Sequence, residues 1–468
     1  MSHTSGTGAT SSIQHQQEDR SNAIRVRADL AEPKALRTFT PSQAVFARSA
    51  GSYHWTADDR KLADFSSGVL VANLGHNPTA WWRRVLGYLE LADLATDAPY
   101  VNASPLTAYN AITDLEVTAA ERLLSNLRRE SGGERLEQVM WAASGSEAIQ
   151  KALWVALARN PQRDIILATR HGFHGKKGLA GAVTGTEQDK ERDSRVRFLT
   201  LPTDECIDLE HRKQPIDLAP YEQELARMAD EHGSRLCCVI TEPYLGGGGS
   251  YHPHPEYLQL LQRFCNERDL VFILDEVQSN FGRTGTMYAF THYGIEPDIV
   301  CLGKGLGNGV PVSAAVGSQA LFSGLDYGAA SDTWSANPLS SAAVLATLDE
   351  FEGGDVLANA QALSTVLETG LVELKETGLI SHVRGEGTVW GIECGEVGEH
   401  TPADVAVACV EACYLGNKDG QAIHLLGPLA GKVLRVSPPL TMCPQEAHDY
   451  LNVMKSILLD LHAQLKSH

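Results

Sequence analysis

Leu270-Val271-Phe272-Ile273-Leu274 runs without interruption into Asp275-Glu276-Val277-Gln278. Five apolar residues with no polar alternation describe a short strand buried on both faces, and this one ends in a carboxylate. The pattern recurs at 139–143 (VMWAA), 164–169 (DIILAT), 235–241 (RLCCVIT) and 298–303 (DIVCLG). Helical periodicity lies between these runs: Ile149, Ala152, Leu153, Ala156 and Leu157 mark one face of a helix over 147–159. Buried strands alternating with helices predict an α/β large domain built on a parallel sheet covered on both sides.

Outward from this core, 51–65 (GSYHWTADDRKLADF) reads as a hairpin around an Ala-Asp-Asp turn. Beyond about Thr347 come a helical stretch at 356–378, strand-like VWGIEC (389–394) and VLRVS (433–437), and a closing helix from Pro444. These predict a smaller α+β unit. Met1 to about Asn22 is rich in Ser, Thr, Gln and Gly without the apolar run of a signal peptide, so the first 30 residues are expected to be a disordered leader. The remaining partition is an N-terminal segment with part of the small domain (31–90), the large domain (91–345) and the C-terminal small domain (346–468).

At 468 residues and 43% hydrophobic composition the chain can bury two or three packed units. Its formal net charge of -19 disfavours nucleic acid and anionic membrane surfaces as partners, and no apolar run is long enough to span a bilayer. The nine cysteines are scattered, with no Cys-x-x-Cys spacing and no Cys/His cluster to suggest a zinc site. No metal is expected, and free thiols fit a reducing cytoplasm.

Three features carry chemistry. Ser144-Gly145-Ser146-Glu147-Ala148 joins a strand to a helix, placing free N–H groups and the positive end of a helix dipole where a phosphate could sit; the alternative is a plain N-cap. Asp275 needs a partner if buried, and a protonated pyridine nitrogen would serve, as would the following turn or Arg283. Lys304 stands among Gly303, Gly305, Gly307 and Gly309, where the absence of side-chain bulk would admit a planar ring close to the backbone, although flexible loops can also hold such a lysine. Each feature ends a predicted buried strand, which is where ligands of open α/β sheets bind.

With these residues in order, the chain resembles the class III aminotransferases, pyridoxal-5'-phosphate (PLP) enzymes of fold type I, from about Phe39 to the C-terminus. The matching stretches are GHNP (75–78), SGSEA (144–148), FHG (173–175), Glu242-Pro243, DEVQ (275–278) with FGRTG (281–285) after it, GKGLGNG (303–309), TWSANP (333–338), VRGEG (383–387) and LRVSPPL (434–440). The resemblance implies a mostly parallel seven-stranded sheet and a small domain built from both chain ends. It implies a homodimer or dimer of dimers with sites at the subunit interface. Lys304 would hold PLP as a Schiff base and shuttle the proton. Asp275 would bind the ring nitrogen, Val277 would pack behind the ring, and Gln278 would bond the ring oxygen. Gly145 and Ser146 would hold the phosphate, Phe173 would stack on the ring, and His174 and Glu242 would complete the pocket. Thr333 would reach the neighbouring subunit's phosphate, and Arg435 would pair with a substrate carboxylate.

Two positions depart from the pattern. Lys176 follows the aromatic-His-Gly turn where many relatives using 2-oxoglutarate have Arg, and it can attract a carboxylate without bidentate geometry. Gly247 stands where many have a glutamate that masks the substrate arginine. Val69 is expected on the substrate-side wall, where it could equally be a core residue. The reaction implied is amino transfer from an amine, ω-amino acid or α-amino acid to a 2-oxo acid such as 2-oxoglutarate or pyruvate. Racemisation, decarboxylating transamination and aminomutation would share the same cofactor contacts, and a silent PLP-fold scaffold is a rival of another class.

Overall fold

A computed structural model describes residues 13–93, 98–186, 188 and 192–467. The hairpin read at 51–65 is present: β1 (Phe46–Ala50), β2 (Tyr53–Thr56) and β3 (Lys61–Asp64) form an antiparallel meander. The large sheet follows with β4 (Gln138–Ala142), β5 (Ile165–Thr169), β6 (Val196–Leu199), β7 (Leu236–Thr241), β8 (Val271–Asp275), β9 (Ile299–Leu302) and β10 (Ser313–Gly317). Its order is β4-β10-β9-β8-β7-β5-β6. The pairs from β9 across to β6 are parallel, and β10 alone runs against both its neighbours.

Because side chains alternate across a strand, each central strand feeds two cores. Phe272 and Leu274 of β8 join Val239, Val300 and Leu302 on one face, beneath Leu258, Leu261 and Phe264 of the helix Pro255–Arg268. Val271 and Ile273 join Ile240, Ile299 and Cys301 on the other, against Ile149, Ala152, Leu153 and Ala156 of the helix Gly145–Arg159. All five residues of β8 are buried, as an uninterrupted apolar run requires.

The small unit combines both chain ends. β11 (Ile380–Glu386), β12 (Val389–Cys394) and β14 (Val433–Val436) form an antiparallel sheet, while β13 (Ala422–His424) adds in parallel to β3. A separate core unites Ala63 and Phe65 with Leu363 and Leu367 of the helix Val356–Glu373, and with Met454 and Leu458 of the helix Pro444–Lys466.

Two boundaries differ from expectation. The division at 345/346 falls inside the helix Pro338–Gly353, whose Ala342 to Leu348 and Phe351 pack into the large core, so the large unit extends to the end of that helix. The stretch expected to be a disordered leader contains the helix Asp19–Ala31, while residues 1–12 lie outside those described. This helix escapes composition because polar contacts anchor it. Buried Glu18 bonds Arg25 at 2.7 Å and the Tyr414 hydroxyl at 2.8 Å, and Asp58 accepts the Ser21 N–H at 2.9 Å. Among the described residues no helix is long and apolar enough to cross a membrane. All nine cysteines are free thiols, Cys443 alone being exposed.

Candidate active site

The topology brings the carboxyl ends of β4, β5, β7, β8 and β9 to one edge of the sheet. There Ser144, Gly145, Ser146, Phe173, His174, Glu242, Asp275, Val277, Gln278 and Lys304 line one cavity of about 360 Å³. Ten positions scattered over 160 residues of sequence thus meet at a single point.

The phosphate turn is pre-shaped. Ser144 caps the helix Gly145–Arg159, and the Glu147 carboxylate accepts the N–H groups of Ser144 (3.0 Å) and Ala143 (2.9 Å), closing a capping box. The N–H groups of Gly145 and Ser146 begin the helix and face the cavity end of its dipole. A Cβ at Gly145 would lie 3.1 Å from Val277 Cγ1, so glycine permits this close approach. Ser144 performs the capping and leaves the next two residues available, so a plain N-cap and a phosphate site are compatible here.

Asp275 ends β8 and is buried. Its Oδ2 lies 2.8 Å from His174 Nδ1, and its Oδ1 accepts the Val277 N–H at 3.0 Å. Arg283, considered as a partner from sequence, instead donates to Asn73 Oδ1 at 2.6 Å and to the Pro438 carbonyl at 2.7 Å. Burial alone would lower the His174 pKa, yet the hydrogen bond and charge of Asp275 hold it above its ordinary value. His174 Nε2 is buried without a hydrogen-bond partner, an orphan group on the cavity wall. Glu242 accepts N–H groups from Phe173 (2.9 Å) and Gly246 (3.2 Å), and burial pushes its carboxyl up to about 7.

Lys304 begins a tight turn after β9 with φ at +48°, a left-handed conformation uncommon for a side chain of its size. Burial, reinforced by the Arg435 charge, pushes its amine down to about 7. Arg435 on β14 is buried behind Gln278; its Nη1 lies 3.4 Å from Gln278 Oε1, and Nη2 donates to the Gly246 carbonyl at 2.5 Å.

Three expected residues lie elsewhere. Val69 is 45% exposed on a left-handed turn spanning Ser67–Leu70, and Val71 lines the cavity in its place. Lys176 borders an adjoining cavity of about 1000 Å³ with Gln150, Trp154, Lys177 and Arg192. Thr333 sits on an exposed loop held by Asp332, which pairs with buried Lys151 at 2.7 Å. Sequence reading missed Val71 and Val310 to Ser313 on the cavity wall; only their nearness to the Ser67 and Lys304 turns could have signalled them.

The residues fit PLP: helix N–H groups for a phosphate, an exposed Phe173 ring, a buried carboxylate for a ring nitrogen, and a lysine whose amine is pushed down to about 7. Comparison with known proteins agrees. The family model described as "Aminotransferase class-III" matches residues 37–458. The chain is 31% identical to 2-aminoadipate transaminase of Pseudomonas putida, covering 87% of this chain and 94% of that protein. It is 29% identical to acetylornithine aminotransferase of Vibrio parahaemolyticus, covering 92% and 96%. Among solved structures it superposes on a PLP-bound amine transaminase from an uncultivated Pseudomonas species with TM-score 0.74 at 24% identity, covering 93% and 97%. The chain belongs to the class III aminotransferases and is a PLP-dependent transaminase.

Proposed function

We propose that this transaminase takes its amino group from an amino acid and passes it to a 2-oxo acid, with Arg435 holding the carboxylate of each in turn. The observation that carries this reading is a buried guanidinium that forms no ion pair among the described residues: it bonds a carbonyl and an amide, its Nε is unsatisfied, and the nearby Glu242 carboxyl is turned to backbone N–H groups. A substrate carboxylate would supply the missing charge and match the bidentate fork. Gly247 offers no competing acid.

Bound PLP supplies an electron sink for bond breaking at the donor carbon. Asp275 holds a proton at the ring nitrogen, and His174 fixes the orientation of that carboxylate. Gly145 and Ser146 would bind the phosphate, Phe173 would cover the ring, Val277 would pack against it, and Gln278 would bond the ring oxygen. Glu242 fixes the Phe173 backbone through its N–H. Lys304, its amine pushed down to about 7, would hold the cofactor and serve as the base that takes the proton from the donor carbon. Lys176, on the cationic side of the adjoining cavity, favours an acceptor with a distal carboxylate, of the 2-oxoglutarate type.

The working unit in this reading is a homodimer. Tyr100, Ile112, Tyr327 and Trp334 are at least 65% exposed, large apolar side chains that a second copy would cover while bringing Thr333 to its neighbour's phosphate. Free thiols support a cytoplasmic setting.

The test is a half-reaction screen. Adding an α-amino acid without acceptor should bleach the visible cofactor band and yield one equivalent of 2-oxo acid per chain. Inversion of the amino acid without keto product would indicate racemisation, and released carbon dioxide a decarboxylating reaction. Bleaching by simple amines alone would contradict the role of Arg435.

A further inference from the structure

We propose that His54, Asp64 and His76, remote in sequence from Lys304, form a binding site for one divalent transition-metal ion of the zinc class. They come from three segments: β2, the end of β3, and the turn before the helix Thr79–Tyr88. One ligand atom from each lies within 4.8 Å of the others. Asp64 Oδ2 is 2.7 Å from His76 Nε2 and 3.5 Å from His54 Nε2. Zinc bonds of about 2.0–2.2 Å in tetrahedral geometry separate ligand atoms by roughly 3.3 Å, so the His54–Asp64 separation already suits a shared ion and the His76–Asp64 one needs to open by only about half an ångström.

The second atoms of two ligands are already occupied, as a metal site requires. His54 Nδ1 lies 2.7 Å from the Ser49 hydroxyl, which fixes the ring and leaves Nε2 as the free ligand atom. Asp64 Oδ1 accepts the Ser66 N–H at 2.8 Å and the Ser66 hydroxyl at 2.6 Å, leaving Oδ2 for the ion. His54 Nε2 is the independent sign of a ligand. It is buried in a side chain 3% exposed, points into the cluster and has no hydrogen-bond partner. His424, registered against Asp64 on β13, closes the far side, while the 16% exposure of the His76 side chain opens a route for entry.

Two imidazoles and one carboxylate, with a fourth position for water, are a donor set that suits zinc over magnesium or calcium. The bound ion would tie β2 and β3 to the segment carrying His76. It would also brace the Asp64–Ser66 contact that starts the strained Ser67–Leu70 turn, which leads to Val71 on the cavity wall.

The test uses the holoenzyme, freed of metal by chelator and dialysed against Zn²⁺ or Co²⁺. One equivalent per chain should bind, Co²⁺ should show the visible bands of a low-symmetry site, and Zn²⁺ should raise the melting temperature. His54→Gln and His76→Gln, checked for folding by circular dichroism and cofactor content, should each weaken binding by about 10-fold or more and remove the thermal shift. If one variant fails to fold, the other decides. Absence of stoichiometric binding, or a folded variant that binds like wild type, would overturn the site and leave a hydrogen-bonded His–Asp cluster.

Discussion

Arg435 Nη2 donates to the Gly246 carbonyl at 2.5 Å, so the arginine read as the substrate's carboxylate partner is held by backbone in place of an acidic side chain. A Cβ at Gly246 would lie 2.2 Å from Gln278 Oε1, so a side chain there would displace the Gln278 amide that sits beside the guanidinium. Arg435→Lys keeps the charge and loses the fork. It should raise KM for 2-oxo acids by about 10- to 100-fold, the cost of a charge-assisted hydrogen bond, while the cofactor band persists. Unchanged steady-state constants would remove Arg435 from substrate binding.

The His174–Asp275 contact yields a second prediction. His174→Phe leaves Asp275 Oδ2 buried without its donor, a loss of about 1–3 kcal/mol. The variant should melt lower and release cofactor faster in a dissociation assay. Equal off-rates for variant and wild type would mean that His174 does not orient the carboxylate.

Lys151 links the helix Gly145–Arg159, whose first turn is proposed to hold the phosphate, to the Thr333 loop. Its ammonium bonds the Trp141 carbonyl at 2.6 Å, Asp332 at 2.7 Å and the Ser335 hydroxyl at 3.0 Å. Lys151→Met should cost about 1–3 kcal/mol of stability and weaken cofactor retention. Thr333→Val should weaken retention with its melting temperature unchanged, because Thr333 is exposed. A Lys151→Met protein that retains cofactor like wild type would separate the loop from the phosphate.

Buried Glu276 accepts the Ala289 and Phe290 N–H groups at 2.7 Å each, yet burial pushes its carboxyl up to about 7. From about pH 4.5 to 7 the folded chain holds a proton that the unfolded chain releases, so this residue's contribution to stability falls as pH rises through that window and levels off above it. His424, pushed down to about 4 by burial, acts with the opposite sign, so the informative quantity is the difference from Glu276→Gln. Melting scans of the cofactor-free proteins should show wild type losing ground to the variant between pH 5 and 7. A constant gap would contradict the raised carboxyl.

What could be read in the sequence follows the physics of each element. The five apolar runs stand as β4, β5, β7, β8 and β9; the last four are buried throughout, as double burial requires, while β4 at the sheet edge is buried only at Trp141 and Ala142. β10 (SAAVG) escaped notice, since its small side chains carry little strand propensity and antiparallel pairing between β4 and β9 supplies its order. β6, at the sheet edge, has only four residues. The Ser144 turn, Asp275 and Lys304 stand out in the sequence because each lies at or just past the end of an apolar run, whereas Phe173, His174, Gln278 and Thr333 follow only from the family resemblance. The Asp275–His174 contact spans 101 positions and is not legible there. Likewise His54, Asp64 and His76 follow no metal-binding spacing, because sheet pairing and a turn bring them together.

In the proposed mechanism Lys304 anchors the cofactor and moves the proton. The most direct measurement follows the visible cofactor band of wild type and Lys304→Ala after reconstitution with PLP, before and after addition of an α-amino acid. Wild type should show the band, bleach it and release 2-oxo acid. Lys304→Ala should lack the lysine-linked band and release keto product at least 10³-fold more slowly, about the upper range of general acid–base catalysis. A Lys304→Ala protein with the wild-type band and turnover would contradict the account.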